Sequence, residues 1–163
     1  MKRLARTLVP AMIFSFLLAA CDNFGTRDLK PGESTGFEVR DRMGVPTIEW
    51  KNDNGSTTWE YPKGPEGKLT FMVTIGADNV LRAVEQVLSA PYFARIENGM
   101  SHDEVRRLLG RPGRREELAL KKEELWDWLV EGDTPLQRAH FLVHFDLASG
   151  KVVGSSRLIE QTP

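Results

Sequence analysis

Ser101-His102-Asp103-Glu104-Val105-Arg106-Arg107-Leu108-Leu109-Gly110-Arg111-Pro112 is the stretch on which the reading of this chain turns. Ser101 and Glu104 form a capping box, in which the hydroxyl accepts from a free amide at the helix start and the carboxylate reaches back. Val105, Leu108 and Leu109 fall at i, i+3 and i+4, one apolar helical stripe. Gly110 suits the left-handed residue after a helix, and Pro112 forbids continuation. The stretch predicts a short helix of about two turns.

The same pattern stands earlier, in Thr35-Gly36-Phe37-Glu38-Val39 and Met43-Gly44-Val45-Pro46. Counted from the glycine, the hydroxyl is nine residues back in both stretches, the glutamate six and the valine five, and the proline is two ahead. Arg42 stands where the later stretch has Leu108, so the first stripe is weaker. Downstream, Trp59 and Tyr61 match Trp126 and Trp128, each pair at the strand period of two. Leu69, Phe71, Val73 and Ile75 alternate with Lys68, Thr70, Met72 and Thr74, and correspond to Ala139, Phe141, Val143 and Phe145. Such alternation predicts a strand with one buried face. Turn residues follow at 76–79 and 148–151, then a third strand near Val80–Val87 and near Val152–Leu158. Ser89–Glu97, with Tyr92, Phe93 and Ile96, predicts a short helix capped by Ser89 between the two copies.

The expected fold is α+β, with two tandem repeats of a helix and an antiparallel three-stranded meander. The helices should lie on one face of sheets that pack together or join. The expected divisions are 1–20, 21–33, 34–88 and 89–163. They correspond to a signal, a tether, a divergent first repeat and a second repeat.

The beginning of the chain supplies the signal. Lys2, Arg3 and Arg6 precede an apolar run, Leu8–Ala20, that ends in Leu18-Ala19-Ala20-Cys21. A positive flank, a short apolar run and small residues before a cut describe a secretory signal. The run is shorter than the roughly 20 residues of a spanning helix. Cys21 is the single cysteine and has no internal disulfide partner. Leu-Ala-Ala-Cys resembles the bacterial lipobox. That resemblance implies cleavage before Cys21, a diacylglycerol on its thiol and an acyl chain such as palmitate on the new amine. Two or more chains anchor stably. Asp22 resembles the signal that retains enteric lipoproteins in the inner membrane.

Gly99-Met100-Ser101, Glu104-Val105, Leu108-Leu109-Gly110 and Pro112 resemble the opening signature of the SmpA/OmlA domain, also called BamE. Trp126-Asp127-Trp128 and Phe141–Asp146 resemble its next strands, so that the likeness covers about residues 90–160. It implies a small periplasm-facing lipoprotein of the outer membrane, an accessory subunit of the β-barrel assembly machinery, with a scaffolding role and no chemistry. The doubled arrangement also resembles the two-layer architecture of the β-lactamase inhibitory proteins (BLIP). That implies an alternative, a periplasmic protein-binding or enzyme-inhibitor module.

The residues themselves offer little chemistry. With 22 basic and 23 acidic residues, the chain is not a nucleic-acid binder by charge, and loss of Lys2, Arg3 and Arg6 makes it more acidic. Phosphate loops, nucleophile elbows and zinc-protease motifs are missing, so no catalytic residue and no cofactor is assigned. His140 and His144 share a face of one predicted strand about 13 Å apart, a poor fit to one zinc. Together with His102 they read as solvated or hydrogen-bonded, and no metal is assigned. Asp127 and Asp146 read as solvated carboxylates at strand ends. Trp59, Tyr61, Trp126 and Trp128 read as core. Arg106, Arg107, Arg111, Arg114 and Arg115 form the densest basic cluster. They read either as a solvated face balanced by Glu116, Glu117, Glu123 and Glu124, or as a contact for lipid headgroups or an acidic partner. The expected protein is a lipid-anchored, non-enzymatic envelope factor that meets the membrane through Cys21. The family resemblance favours the outer membrane, and Asp22 the inner.

Overall fold

A computed structural model describes residues 24–64, 67–134 and 137–160. The signal, Cys21 and Asp22 lie outside the described residues.

Helix α1 (Gly36–Met43) is followed by strands β1 (Ile48–Lys51), β2 (Thr57–Lys63), β3 (Leu69–Ile75) and β4 (Leu81–Gln86). A short helix α2 (Ala90–Phe93) leads to α3 (His102–Leu109), then to β5 (Arg114–Leu118), β6 (Glu123–Glu131), β7 (Arg138–Asp146) and β8 (Val152–Ile159). The strands form two separate antiparallel sheets in the orders β1-β2-β3-β4 and β5-β6-β7-β8. Each sheet has one strand more than the meander expected. Of the extra strands, β1 (Ile-Glu-Trp-Lys) alternates but is only four residues long, and β5 carries charge where a buried strand carries aliphatic residues. β5 reads Arg-Arg-Glu-Glu-Leu, and a charged edge strand discourages pairing with another chain.

Both long helices begin with the expected capping box. Thr35 and Ser101 accept from the backbone of Glu38 and Glu104, and the two carboxylates return the bond. Those contacts hold the Glu38 and Glu104 carboxyls below their ordinary pKa, the backbone bond contributing most. The caps at the other end differ from expectation. Gly44 (φ 84°, ψ −165°) and Gly110 (φ 80°, ψ −170°) have positive φ but extended ψ, a conformation confined to glycine. Their carbonyls accept from the β2 and β6 aromatics, Tyr61 Oη at 3.0 Å and Trp128 Nε1 at 3.3 Å. Ser89 does not cap α2; its hydroxyl donates instead to the Gln86 carbonyl.

One core joins Val39 and Met43 of α1 to Trp59, Tyr61, Val73 and Ile75. A second joins Val105 and Leu109 of α3 to Trp126, Trp128, Phe141, Val143 and Phe145. Phe93 of α2 completes it by stacking on Phe141 at 4.1 Å. The one-faced burial expected for β3 does not hold. Thr70 and Met72 are buried as well, and so is Glu60 beside them, at 0% exposure. Thr70 and Glu60 are covered by the end of α3, which lies on this second face of the first sheet. The Arg111 N–H donates to Glu60 Oε1 at 3.0 Å, and the Arg106 and Arg107 guanidiniums sit 5.5 and 4.7 Å over the Trp50 ring. The sheets therefore do not join edge to edge, and α3 stands between them.

The described part of the expected tether is not free. Leu29 is buried in the first core, Asp28 pairs with Arg42 at 3.0 Å, and the Gly32 N–H donates to the Leu81 carbonyl. This segment covers the flank of α1 that Arg42 left polar.

Candidate binding surfaces

Strict alternation governs β6 and β7. Trp126, Trp128, Val130, Ala139, Phe141, Val143 and Phe145 point at α3 and are buried. The intervening residues face outward, and no described element covers them. Leu125 lies opposite His144, Leu129 opposite His140, and Leu142 opposite Asp127 and Ser156. Leu158, opposite His140 on β8, is 54% exposed. The result is a chequerboard of leucines and ionisable groups. His140 Nδ1 lies 2.7 Å from Asp127 and its Nε2 2.9 Å from Glu160, while His144 Nδ1 lies 2.8 Å from Glu123. Partial burial opposes a charge on His140, but the hydrogen bonds it donates to Asp127 and then to Glu160 outweigh it and raise its pKa above the ordinary 6.5. The sequence carried a signal for this surface, the leucines spaced between the aromatics, but the aromatics drew the reading inward.

His102 has a different place. It stacks on Phe145 at 4.1 Å and reaches Glu124 at 2.8 Å, and Glu124 also accepts from Trp126 Nε1 at 2.7 Å. This ties the start of α3 to β6. Asp146 accepts from the Ser149 hydroxyl and backbone, which together lower its pKa and fix the β7–β8 turn. Asp127 is committed to His140, so the two aspartates do not converge. Among the described residues no His, Cys, Asp and Glu group is placed to hold a metal, and no helix is long and apolar enough to cross a membrane. Trp59, Tyr61, Trp126 and Trp128 are all buried, so none offers an exposed aromatic platform. Burial pushes the Tyr61 hydroxyl up to about 12.

Four of the five clustered arginines come together. Arg106, Arg111, Arg114 and Arg115 line a hollow of about 440 Å³ along the edge of β5. Arg107 is absent from that lining and turns to the Trp50 ring. Arg114 pairs with Glu116 at 2.7 Å, and the Arg115 guanidinium lies 4.2 Å over the Trp126 ring.

No family model matches this chain, and no curated protein matches it. Three solved structures are distantly similar. A candidate β-lactamase inhibitor protein of Streptococcus mutans shares 11% identity at a TM-score of 0.30, over 77% of this chain and 82% of that one. YjgB of Bacillus subtilis, a DUF4309 family protein, shares 17% at 0.28, over 83% and 84%. An extracellular protein of Bacillus anthracis containing an SCP domain shares 10% at 0.32, over 100% of this chain and 56% of that one.

Proposed function

We propose that this chain is a non-catalytic protein-binding module of the bacterial envelope, held at a membrane by lipid on Cys21. The observation that carries the binding role is the outer face of the second sheet, which no described element covers. The first sheet buries residues on both faces, yet on this outer face Leu125, Leu129 and Leu142 are only part-buried and Leu158 is exposed. A sheet face that mixes apolar and hydrogen-bonding side chains in this way suits an interface. Its interleaved carboxylates and imidazoles suit a protein partner, which can return hydrogen bonds. A bilayer interior would strip water from Glu123 and Asp127 at high cost.

Two narrower readings follow from the sequence. The likeness of residues 99–112 to the SmpA/OmlA signature supports an accessory role in β-barrel assembly. The matching caps, aromatic-to-glycine bonds and strand orders of the two halves support a tandem duplication of BLIP-like form. That form suits a module that binds or inhibits an enzyme.

Photo-crosslinking in the native host tests the surface. A reactive residue at Leu142 or Ser156 should give an adduct with a discrete protein, and one at Lys51 on the first sheet should not. An assembly-machinery component in the adduct supports the scaffold reading, and a soluble enzyme the inhibitor reading. Only lipid adducts, or none from the outer face, would overturn the proposal.

A further inference from the structure

Three of the four arginines around the β5 hollow lack a carboxylate partner among the described residues, in a chain with more acidic than basic groups. Like charges so placed repel one another unless an anion lies between them. Two of them rest on aromatic rings. Arg106 lies over the Trp50 ring and Arg115 over the Trp126 ring. An indole face holds a guanidinium by its plane and leaves the N–H groups at its edge free to donate. Arg106 Nε is buried and has no hydrogen-bond partner.

The remaining lining residues are Pro112 and Gly113, and no acidic side chain lines the hollow. Glu60 lies behind Gly110, with Oε1 taken by the Arg111 N–H. The Gly113 N–H is committed to the Asp127 carbonyl, so the free donors here are guanidinium edges. They come from three places: α3, the loop after it, and β5. One planar carboxylate is satisfied by a single guanidinium fork, whereas a tetrahedral group with several oxygens uses donors from several directions.

We propose that Arg106, Arg111 and Arg115 form a binding site for a phosphate group, while Arg114 lies opposite Asp127 and is held by Glu116. The phosphate belongs either to a phospholipid headgroup or to a soluble phosphate ester. The site is separate from the leucine face and does not depend on it.

The test uses the processed full-length protein in nonionic detergent, titrated with inorganic phosphate and with glycerol phosphate while chloride holds ionic strength constant. The Nε–Hε resonances of Arg106 and Arg115 should shift saturably. Those of Arg40 and Arg82, paired with Glu49 and Asp78, should not. Arg115→Gln should weaken binding about tenfold, the loss of one charge-assisted contact, with the backbone amide spectrum unchanged. Arg82→Gln should not weaken it. A second arm places the protein on phosphatidylcholine nanodiscs with and without phosphatidylglycerol. Shifts that appear with phosphatidylglycerol assign the phosphate to a headgroup. Shifts with the soluble probes alone assign it to a soluble ester. If no probe shifts Arg106 and Arg115 beyond the paired arginines, or the shifts follow ionic strength only, the site does not exist.

Discussion

Gly110→Ala tests the packing of α3 against the first sheet, and Gly44→Ala is its internal control. The two glycines have nearly the same backbone, with φ 80° and 84°. A Cβ at Gly44 meets nothing within 4 Å, so its cost is backbone strain alone, about 1–3 kcal/mol. A Cβ at Gly110 lies 2.8 Å from Thr70 Cγ2 and 3.3 Å from Glu60 Cδ. Overpacking of that kind adds about 1–3 kcal/mol. Gly110→Ala should therefore destabilise more than Gly44→Ala by about that increment. Thr70→Ser removes the nearer obstacle, so the double variant should recover part of it, a coupling of about 0.5–2 kcal/mol. Urea denaturation followed by tryptophan fluorescence measures the native protein, Gly44→Ala, Gly110→Ala, Thr70→Ser and the double variant. Equal losses at Gly44 and Gly110, with no coupling to Thr70, would refute the packing of α3 between the two sheets.

Other expectations follow from single groups. His140 has a raised pKa, so its contribution to stability is complete below pH 6.5 and fades as pH rises through the higher folded value. The urea midpoint of the native protein should fall across neutral and mildly basic pH, and His140→Gln should flatten that dependence; a flat native profile counts against the Asp127–His140–Glu160 triad. Glu60→Ala strands the Arg111 N–H and should cost about 1–3 kcal/mol by urea denaturation, while Glu60→Gln keeps an acceptor and should cost less. Mass spectrometry of the processed protein should find diacylglycerol and an acyl chain on Cys21, and a bare thiol there removes the anchor. Membrane fractionation of Asp22→Ser should show a shift toward the outer membrane if Asp22 acts in sorting, and no shift if it does not.

Some of this was legible residue by residue. The capping boxes at Thr35 and Ser101 need only groups three positions apart, so spacing reveals them. The inward aromatics of β6 and β7 follow from the strand period. The arginine cluster was visible as composition, but that four of its residues line one hollow while Arg107 turns away depends on where α3 leads into β5. The leucine face was harder to see, because part-buried leucines between aromatics look like ordinary strand residues until the described elements are seen to leave that face uncovered.

The sequence by itself determined the local periods: where α1 and α3 begin and which face of β6 and β7 is apolar. These rest on interactions within a few residues, where backbone geometry allows few alternatives. The tertiary structure alone decided that α3 serves two sheets, that Glu60 and Thr70 are buried, that residues 24–33 pack on α1, and that one sheet face is left open. Those outcomes depend on surfaces far apart in the chain coming together, and desolvation at such contacts is a property of the assembled pair.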